Sequence, residues 1–188
     1  MNEIDLKYRV NVRPAVIHDL HALAELIDEA AIGHPAEKLP RSLANLQQAY
    51  FGEKPVGEQL LAVTIASAIG FAGWTKIYDP SWSVFGGQVI GMYVQPAYRG
   101  KGIAAMLIAA LCARVREAGG QYLWSEYDER LAQLYERVLI GKPCREGHLS
   151  GEAFQQIADL AGKSVREIVR GLPELELNMA PPLTRTIR

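Results

Sequence analysis

Short runs of alternating hydrophobic and polar residues are interrupted by segments in which hydrophobic residues recur every three or four positions. Alternation with a period of two is typical of strands, and the wider spacing is typical of helices that bury one face. The strands predicted in this way cover residues 8–13, 60–67, 69–76, 84–94 and 121–125. The predicted helices cover residues 18–31, 42–50, 104–117, 128–139, 150–161 and 164–170, and a closing strand is predicted at 175–179.

Glycine and proline residues set the boundaries between these elements. Gly70 is expected to bend the chain between two strands, and residues 78–81 are expected to form the next turn. Successive strands joined by such short turns form a meander. Because helices and a further strand follow this meander, the order of elements predicts a mixed α/β (α+β) fold.

Length and charge limit the domain organisation and the partners. The chain has 188 residues, of which 49% are hydrophobic, and this fits one domain over residues 1–188 with a helical insert around 150–171. A formal net charge of −1 and a pI of about 6.4 provide no positive field that would attract nucleic acid or an anionic membrane. We therefore expect a small-molecule or protein partner.

No metal site or membrane segment is expected. Cys112 and Cys144 lie in unrelated contexts, and His34 and His148 lack the spacing of metal ligands. The most apolar run, residues 60–74, is shorter than the roughly 20 residues that a membrane-spanning helix needs. Since the first five residues do not resemble a secretory signal, a cytoplasmic location is expected.

The most informative segment, residues 89–104, leads from a hydrophobic strand through a glycine-rich loop into a helix. No Ser, Thr, Asp or Asn lies at the helix start, so its first N–H groups need another partner. Gly100 and Gly102 allow the backbone to approach an anion, and Arg99 and Lys101 add positive charge to the helix dipole. This pattern favours a bound phosphate, with water as the alternative.

These residues resemble the pyrophosphate-binding signature of the GNAT superfamily of N-acetyltransferases, at Arg99, Gly102 and Ala104. The resemblance implies a mostly antiparallel, twisted sheet with flanking helices, splayed at the cofactor-binding strands. It also implies acetyl-CoA as the acyl donor, no metal, and pairing of the pantetheine arm with the strand before the loop. The cofactor-binding residues expected on this basis are Met92, Tyr93, Val94, Arg99, Gly100, Lys101, Gly102, Ile103, Ala104 and Asp128.

The resemblance also indicates catalytic residues. In the family an Asn is followed seven residues later by a helical Tyr; here Tyr135 is present and Asp128 replaces the Asn. A phenol with a pKa of about 10 can protonate a thiolate with a pKa of about 8.5, so Tyr135 is the expected general acid. The alternative is a core Tyr on a buried helical face. Glu126 is the expected general base, with Asp128 as a second candidate or as a helix N-cap.

The resemblance covers roughly residues 8–140 and weakens beyond them. Leu139 and Ile140 replace a Gly-Phe pair of the family, and the helices predicted between 150 and 171 depart from its closing pair of strands. We expect these helices to shape either the acceptor site or a homodimer contact. The acceptor is expected to be a primary amine on a small molecule or a protein.

Two other functions fit parts of the sequence. Residues 100–105 match the GxGxxA form of a dinucleotide fingerprint, with Glu126 placed to bind a ribose, which would indicate an oxidoreductase. Against this, five residues separate the predicted strand from the glycines, where a dinucleotide fold has a tight turn. The other alternative is a non-catalytic acyl-CoA sensor of GNAT fold, which the exchange at Asp128 and the missing Gly-Phe pair suggest.

Overall fold

A seven-stranded sheet forms the centre of the protein. The computed structural model describes residues 10–32, 42–126, 140–141 and 146–171. The strands are β1 (Asn11–Pro14), β2 (Glu58–Val63), β3 (Ala68–Asp79), β4 (Val84–Val94), β5 (Tyr122–Glu126), β6 (Ile140–Gly141) and β7 (Glu146–Ser150). Their order is β1-β2-β3-β4-β5-β7-β6, and every neighbouring pair is antiparallel except β4 and β5. The predicted mixed α/β fold with a mostly antiparallel sheet is confirmed.

Helices cover both faces of this sheet. They are α1 (Leu20–Ala31), α2 (Leu43–Phe51), α3 (Ile103–Glu117), α4 (Gly151–Asp159) and α5 (Val165–Gly171). Successive residues of a strand point to opposite faces. Accordingly, Leu61 packs in one core with Leu23 and Leu26 of α1, whereas Leu60 and Ala62 belong to a second core with α3, α4 and α5. The result is three layers, with the sheet between two layers of helices.

Helix α3 is buried around most of its circumference. Its buried residues are Ile103, Ala105, Met106, Leu107, Ile108, Ala109, Leu111, Cys112 and Val115. Phe154, Ile157 and Ile168 of α4 and α5 lie in the same core with almost no exposed surface, and Arg116 pairs with Asp159 of α4. A helix that is hydrophobic on several sides needs cover on each of them. The C-terminal helices supply the cover that the sheet does not.

Side-chain caps mark two helix starts that the sequence predicts. At α2, the N–H of Asn45 donates to Ser42 Oγ at 3.3 Å. At α5, the N–H of Ser164 donates to Glu167 Oε2 at 2.9 Å and the N–H of Glu167 donates to Ser164 Oγ at 3.4 Å, which together form a capping box. The helix predicted at 128–139 and the strand predicted at 175–179 lie outside the described residues.

The turn between β2 and β3 lies before the predicted bend at Gly70. Thr64 Oγ1 accepts the N–H groups of Ala66 at 3.2 Å and Ser67 at 3.1 Å, so the side chain of Thr64 closes this turn. Gly70 lies within β3, where an added Cβ would lie 2.6 Å from the carbonyl oxygen of Tyr93. The glycine is therefore needed for the close approach of β3 and β4, and the prediction of a bend there was wrong.

The sequence does not predict strands β6 and β7. β7 pairs with β5 along its whole length, from Tyr122 opposite Ser150 to Glu126 opposite Glu146, and β6 extends the sheet beyond β7. The residues of β7 include no β-branched or aromatic side chain, so its pairing depends on the neighbouring strand and not on its own propensity. A closing pair of strands is therefore present, and the C-terminal helices follow it instead of replacing it.

Replacing Phe154 by Ala tests whether the C-terminal helices belong to the main core. The side chain is 0% exposed, so its truncation should lower the free energy of unfolding by about 3–5 kcal/mol. Urea denaturation should still show one transition. Gln156→Ala, on the exposed side of the same helix, should change the free energy by less than about 0.5 kcal/mol. A separate early transition in Phe154→Ala would show instead that α4 and α5 unfold on their own.

Candidate functional site

Strand β4 separates from its parallel partner soon after the two meet. β4 pairs with β5 only at Gly87 and Gln88, yet it continues to Val94. On its other side, the register with β3 shifts so that Ile90 is an extra residue without a partner. A bulge of this kind bends a strand and increases its twist. β4 and β5 therefore diverge, and the edge of β4 beyond Gln88 borders an opening in the sheet.

The backbone of β4 offers hydrogen-bonding groups to this opening. The N–H of Gln95 donates to the C=O of Ile69 at 2.9 Å. In an antiparallel pair, alternate residues direct their N–H and C=O groups to the same neighbour. Tyr93 therefore faces β3 as Gln95 does, and the amides of Met92 and Val94 face the opening. An extended ligand could lie along these two residues as an additional strand would.

Helix α3 begins after the loop that follows β4. Its N-cap is Gly102, with φ 77°, and no side chain caps it; Gly100 also has a positive φ, of 72°. The first helical hydrogen bond runs from the N–H of Met106 to the C=O of Gly102 at 3.1 Å, so the N–H groups of Ile103 and Ala104 have no partner within the helix. With no acidic side chain in the first turn, this helix end favours an anion.

Two basic residues lie on this loop, as the sequence predicts. Arg99 Nε donates to the C=O of Val94 at 2.9 Å, and the guanidinium carbon lies 5.5 Å from the centre of the Tyr93 ring. Lys101 Nζ donates to the C=O of Ala97 at 2.9 Å. Both side chains are exposed. Arg99 thus connects the loop to β4 and reaches the Tyr93 ring, whereas Lys101 bonds to the loop itself.

A carboxylate on the α1 side of the sheet lies close to β4, and sequence reasoning missed it. Glu29, in the last turn of α1, accepts hydrogen bonds from the Tyr93 hydroxyl at 3.1 Å and from Gln95 Nε2 at 3.0 Å. Partial burial, followed by the bond to Glu29, raises the pKa of Tyr93, so the phenol remains protonated at neutral pH. Glu29 and Tyr93 are 64 residues apart. Because only folding brings them together, no local pattern indicates the pair.

The structure describes only one of the residues predicted to take part in catalysis. Glu126 is the last residue of β5, the strand on the other side of the opening. Asp128 and Tyr135 lie outside the described residues. Their roles, and the cofactor contacts expected along β4 and the loop, stay predictions.

Two general properties can be stated for the part of the chain that the structure describes. It contains no group of three or more His, Cys, Asp and Glu side chains that could hold a metal ion. None of its helices has both the length and the apolar character needed to cross a membrane.

The topology rules out the dinucleotide-binding alternative. That fold requires parallel strands joined by helices, with the glycine-rich turn directly after a strand. Here β2, β3 and β4 form an antiparallel meander, and a 3₁₀ turn at Pro96–Tyr98 separates β4 from the glycines. Residues 100–105 therefore match the dinucleotide fingerprint in sequence, but the strands around them do not have the topology of a dinucleotide-binding fold.

Known proteins with related sequences and structures point to one family. Residues 20–139 match the model of the Acetyltransferase (GNAT) family. A ribosomal-protein-alanine N-acetyltransferase from Brucella melitensis biovar Abortus 2308 has a similar structure, with a TM-score of 0.60, 22% identity, and coverage of 72% of this chain and 94% of that chain. An aminoglycoside acetyltransferase from an uncultured soil metagenomic sample, in complex with sisomicin, gives a TM-score of 0.57, 16% identity and coverage of 71% and 86%.

A GNAT family acetyltransferase from Brucella melitensis, in complex with acetyl-CoA, gives a TM-score of 0.55, 16% identity and coverage of 76% and 88%. No curated protein matches the sequence at a significant level. At these identities the solved structures establish the fold alone, whereas the family match spans more than half of the chain. The chain therefore belongs to the GNAT family of acetyltransferases.

Proposed function

We propose that the protein is an acetyl-CoA-dependent N-acetyltransferase that transfers the acetyl group directly to a primary amine on a small molecule or a protein. The observation that carries this proposal is the opening between β4 and β5, next to the uncapped start of α3. The opening offers a hydrogen-bonding edge to an extended chain, and the helix start offers a site for a phosphate. Acetyl-CoA combines both chemical features in one molecule.

The donor fits these two features in a single pose. Its pyrophosphate would accept hydrogen bonds from the N–H groups of Ile103 and Ala104, at the helix start that Gly102 forms with its positive φ. Its pantetheine arm would follow the edge formed by Met92 and Val94, which leads the thioester into the opening. The choice of donor is supported by a protein of similar structure that was solved in complex with acetyl-CoA.

The reaction we propose is nucleophilic attack of the amine on the thioester. The nitrogen attacks the carbonyl carbon, the C–N bond forms, the C–S bond breaks, and CoA leaves as a thiolate that receives a proton from Tyr135. Cys112, the free cysteine of the described residues, is fully buried in α3, and burial raises its thiol pKa well above the usual range. It is a poor nucleophile for that reason, which supports direct transfer without an acyl-cysteine.

The amine would approach from the α1 face of the sheet. The donor pyrophosphate lies at α3 on the other face, so the α1 side of the opening remains for the acceptor. The carboxylate of Glu29 lies on that side, next to β4. A carboxylate attracts an ammonium group and can accept its proton. We therefore propose that Glu29 binds the amine, and that Glu29 or Glu126 acts as the general base.

Turnover distinguishes an enzyme from a non-catalytic sensor of the same fold. Acetyl-CoA would be incubated with an aminoglycoside, a peptide with an N-terminal alanine and a polyamine, and release of the free CoA thiol would be followed. The first two represent acceptors named for proteins of similar structure. Thiol release that requires one of the amines supports the proposal. Binding of acetyl-CoA with no amine-dependent release would favour the sensor.

Replacing Tyr135 by Phe removes the proposed proton donor and little else. With an amine that is turned over, kcat should fall by about a hundredfold, while the Kd for CoA stays unchanged. Tyr78→Phe, at a half-exposed position at the end of β3, is the matched control and should keep full activity. Full activity of Tyr135→Phe would exclude this residue as the general acid.

Replacing Glu29 by Gln removes the carboxylate charge and keeps the shape of the side chain. We expect kcat/KM for the amine to fall about tenfold to a hundredfold, with an unchanged Kd for acetyl-CoA. Glu25→Gln lies one turn earlier on the exposed side of α1 and should behave as the wild type. If both variants retain wild-type kcat/KM, the acceptor does not depend on Glu29.

Replacing Gly102 by Ala should weaken CoA binding. An L residue is strained at φ 77°, and its Cβ would lie 2.3 Å from Val165 Cγ1, so the helix start has to shift. Calorimetric titration should give a Kd at least about tenfold higher. Gly119→Ala also has a positive φ, of 80°, but it lies in open space past the other end of α3, and it should bind CoA normally. Equal affinities of Gly102→Ala and wild type would place the pyrophosphate elsewhere.

A further inference from the structure

The C-terminal helices meet the core of the domain at the proposed phosphate site. Val165, the first residue of α5, packs so closely on Gly102 that a Cβ added there would lie 2.3 Å from Val165 Cγ1. Gly102 is the N-cap of α3. The start of α5 is therefore a direct neighbour of the N–H groups to which we assign the pyrophosphate.

Two cationic residues flank Val165 at this contact. Lys163 precedes it and Arg166 follows it, and both are exposed. Neither side chain has a hydrogen-bond or ion-pair partner among the described residues. The nearby carboxylate of Glu167 interacts electrostatically with Lys163, but it forms no ion pair with it and accepts the N–H of Ser164 at 2.9 Å. Both cations are therefore available to a ligand.

This availability distinguishes the pair from the arginines that hold the fold together. Those arginines pair with carboxylates, in the ion pairs Arg13–Asp19, Arg114–Glu58 and Arg116–Asp159. Lys163 and Arg166 add to the exposed Arg99 and Lys101 on the loop before α3. The two segments, distant in sequence, meet where Val165 packs on Gly102, and each carries two basic residues close in sequence to that contact.

The proposed donor carries more negative charge than its pyrophosphate. CoA has a further phosphate on the 3′ oxygen of its adenosine ribose, a few bonds from the pyrophosphate. We propose that Lys163 and Arg166 bind this 3′-phosphate, so that the start of α5 forms part of the wall of the nucleotide site. The inference rests on the proposed use of CoA and adds to it a role for the C-terminal helices. Long basic side chains suit a mobile phosphate at a rim, where they form charge-assisted hydrogen bonds.

Comparison of CoA with dephospho-CoA, which lacks only the 3′-phosphate, tests this assignment. Calorimetric titration at fixed low salt would measure both ligands against the wild type and against Lys163→Ala/Arg166→Ala. We expect the wild type to bind CoA about tenfold more tightly than dephospho-CoA. The double variant should lose this tenfold preference while its Kd for dephospho-CoA stays the same. Higher salt should reduce the preference of the wild type, because exposed charges are screened.

Arg170→Ala provides the matched control. Arg170 is exposed on the same helix, about 7.5 Å along its axis from Val165, the residue that contacts Gly102, and its replacement should leave the preference for CoA unchanged. Thermal unfolding of all variants would show that these exposed substitutions leave the fold intact. A wild type that binds both ligands equally, or a double variant that loses affinity for both equally, would overturn the inference. A wild type that binds neither ligand would instead overturn the proposed function itself.

Discussion

The site depends on the point at which β4 loses its partner in the sheet. Pairing with β5 ends at Gln88, and the extra residue Ile90 turns the rest of β4 away. Backbone groups at the edge of a sheet need hydrogen-bond partners. The N–H groups of Met92 and Val94 face the opening that results, whereas the C=O of Val94 already accepts a hydrogen bond from Arg99. The same divergence gives access through the sheet, with α3 on one face and Glu29 of α1 on the other. The proposed donor and acceptor would therefore approach one reaction centre from opposite sides.

The start of α3 contributes both to the packing of the core and to the proposed phosphate site. Gly102 needs its positive φ to begin the helix, and it needs the absence of a side chain because Val165 packs against it. Helix α3 is hydrophobic on several sides, so the C-terminal helices have to cover it. That cover brings the start of α5, with Lys163 and Arg166, to the helix end that favours an anion. Packing in the core and the proposed binding of the pyrophosphate thus depend on the same glycine.

The bounds of an element could be predicted from the sequence where its hydrophobic pattern extended over many residues and glycine residues marked its ends. It predicted β4 with the bounds the structure shows, and α3 to within one residue. The uncapped start of α3 was predictable because capping depends on a few adjacent residues. Pairing between distant segments was not predictable. β7 has no strand propensity of its own, the bond between Glu29 and Tyr93 joins residues 64 positions apart, and nothing in either segment indicates that Val165 meets Gly102.

The measurement that tests the account most directly is calorimetric titration of the wild-type protein with acetyl-CoA, CoA and NADH at fixed salt and pH. The open edge of β4 and the helix end at Gly102 together predict that acetyl-CoA and CoA bind at one site per chain and that NADH does not. NADH carries a pyrophosphate as well, but it has no pantetheine arm to lie along Met92 and Val94. Binding of NADH with equal affinity, or no binding of either CoA ligand, would contradict the account.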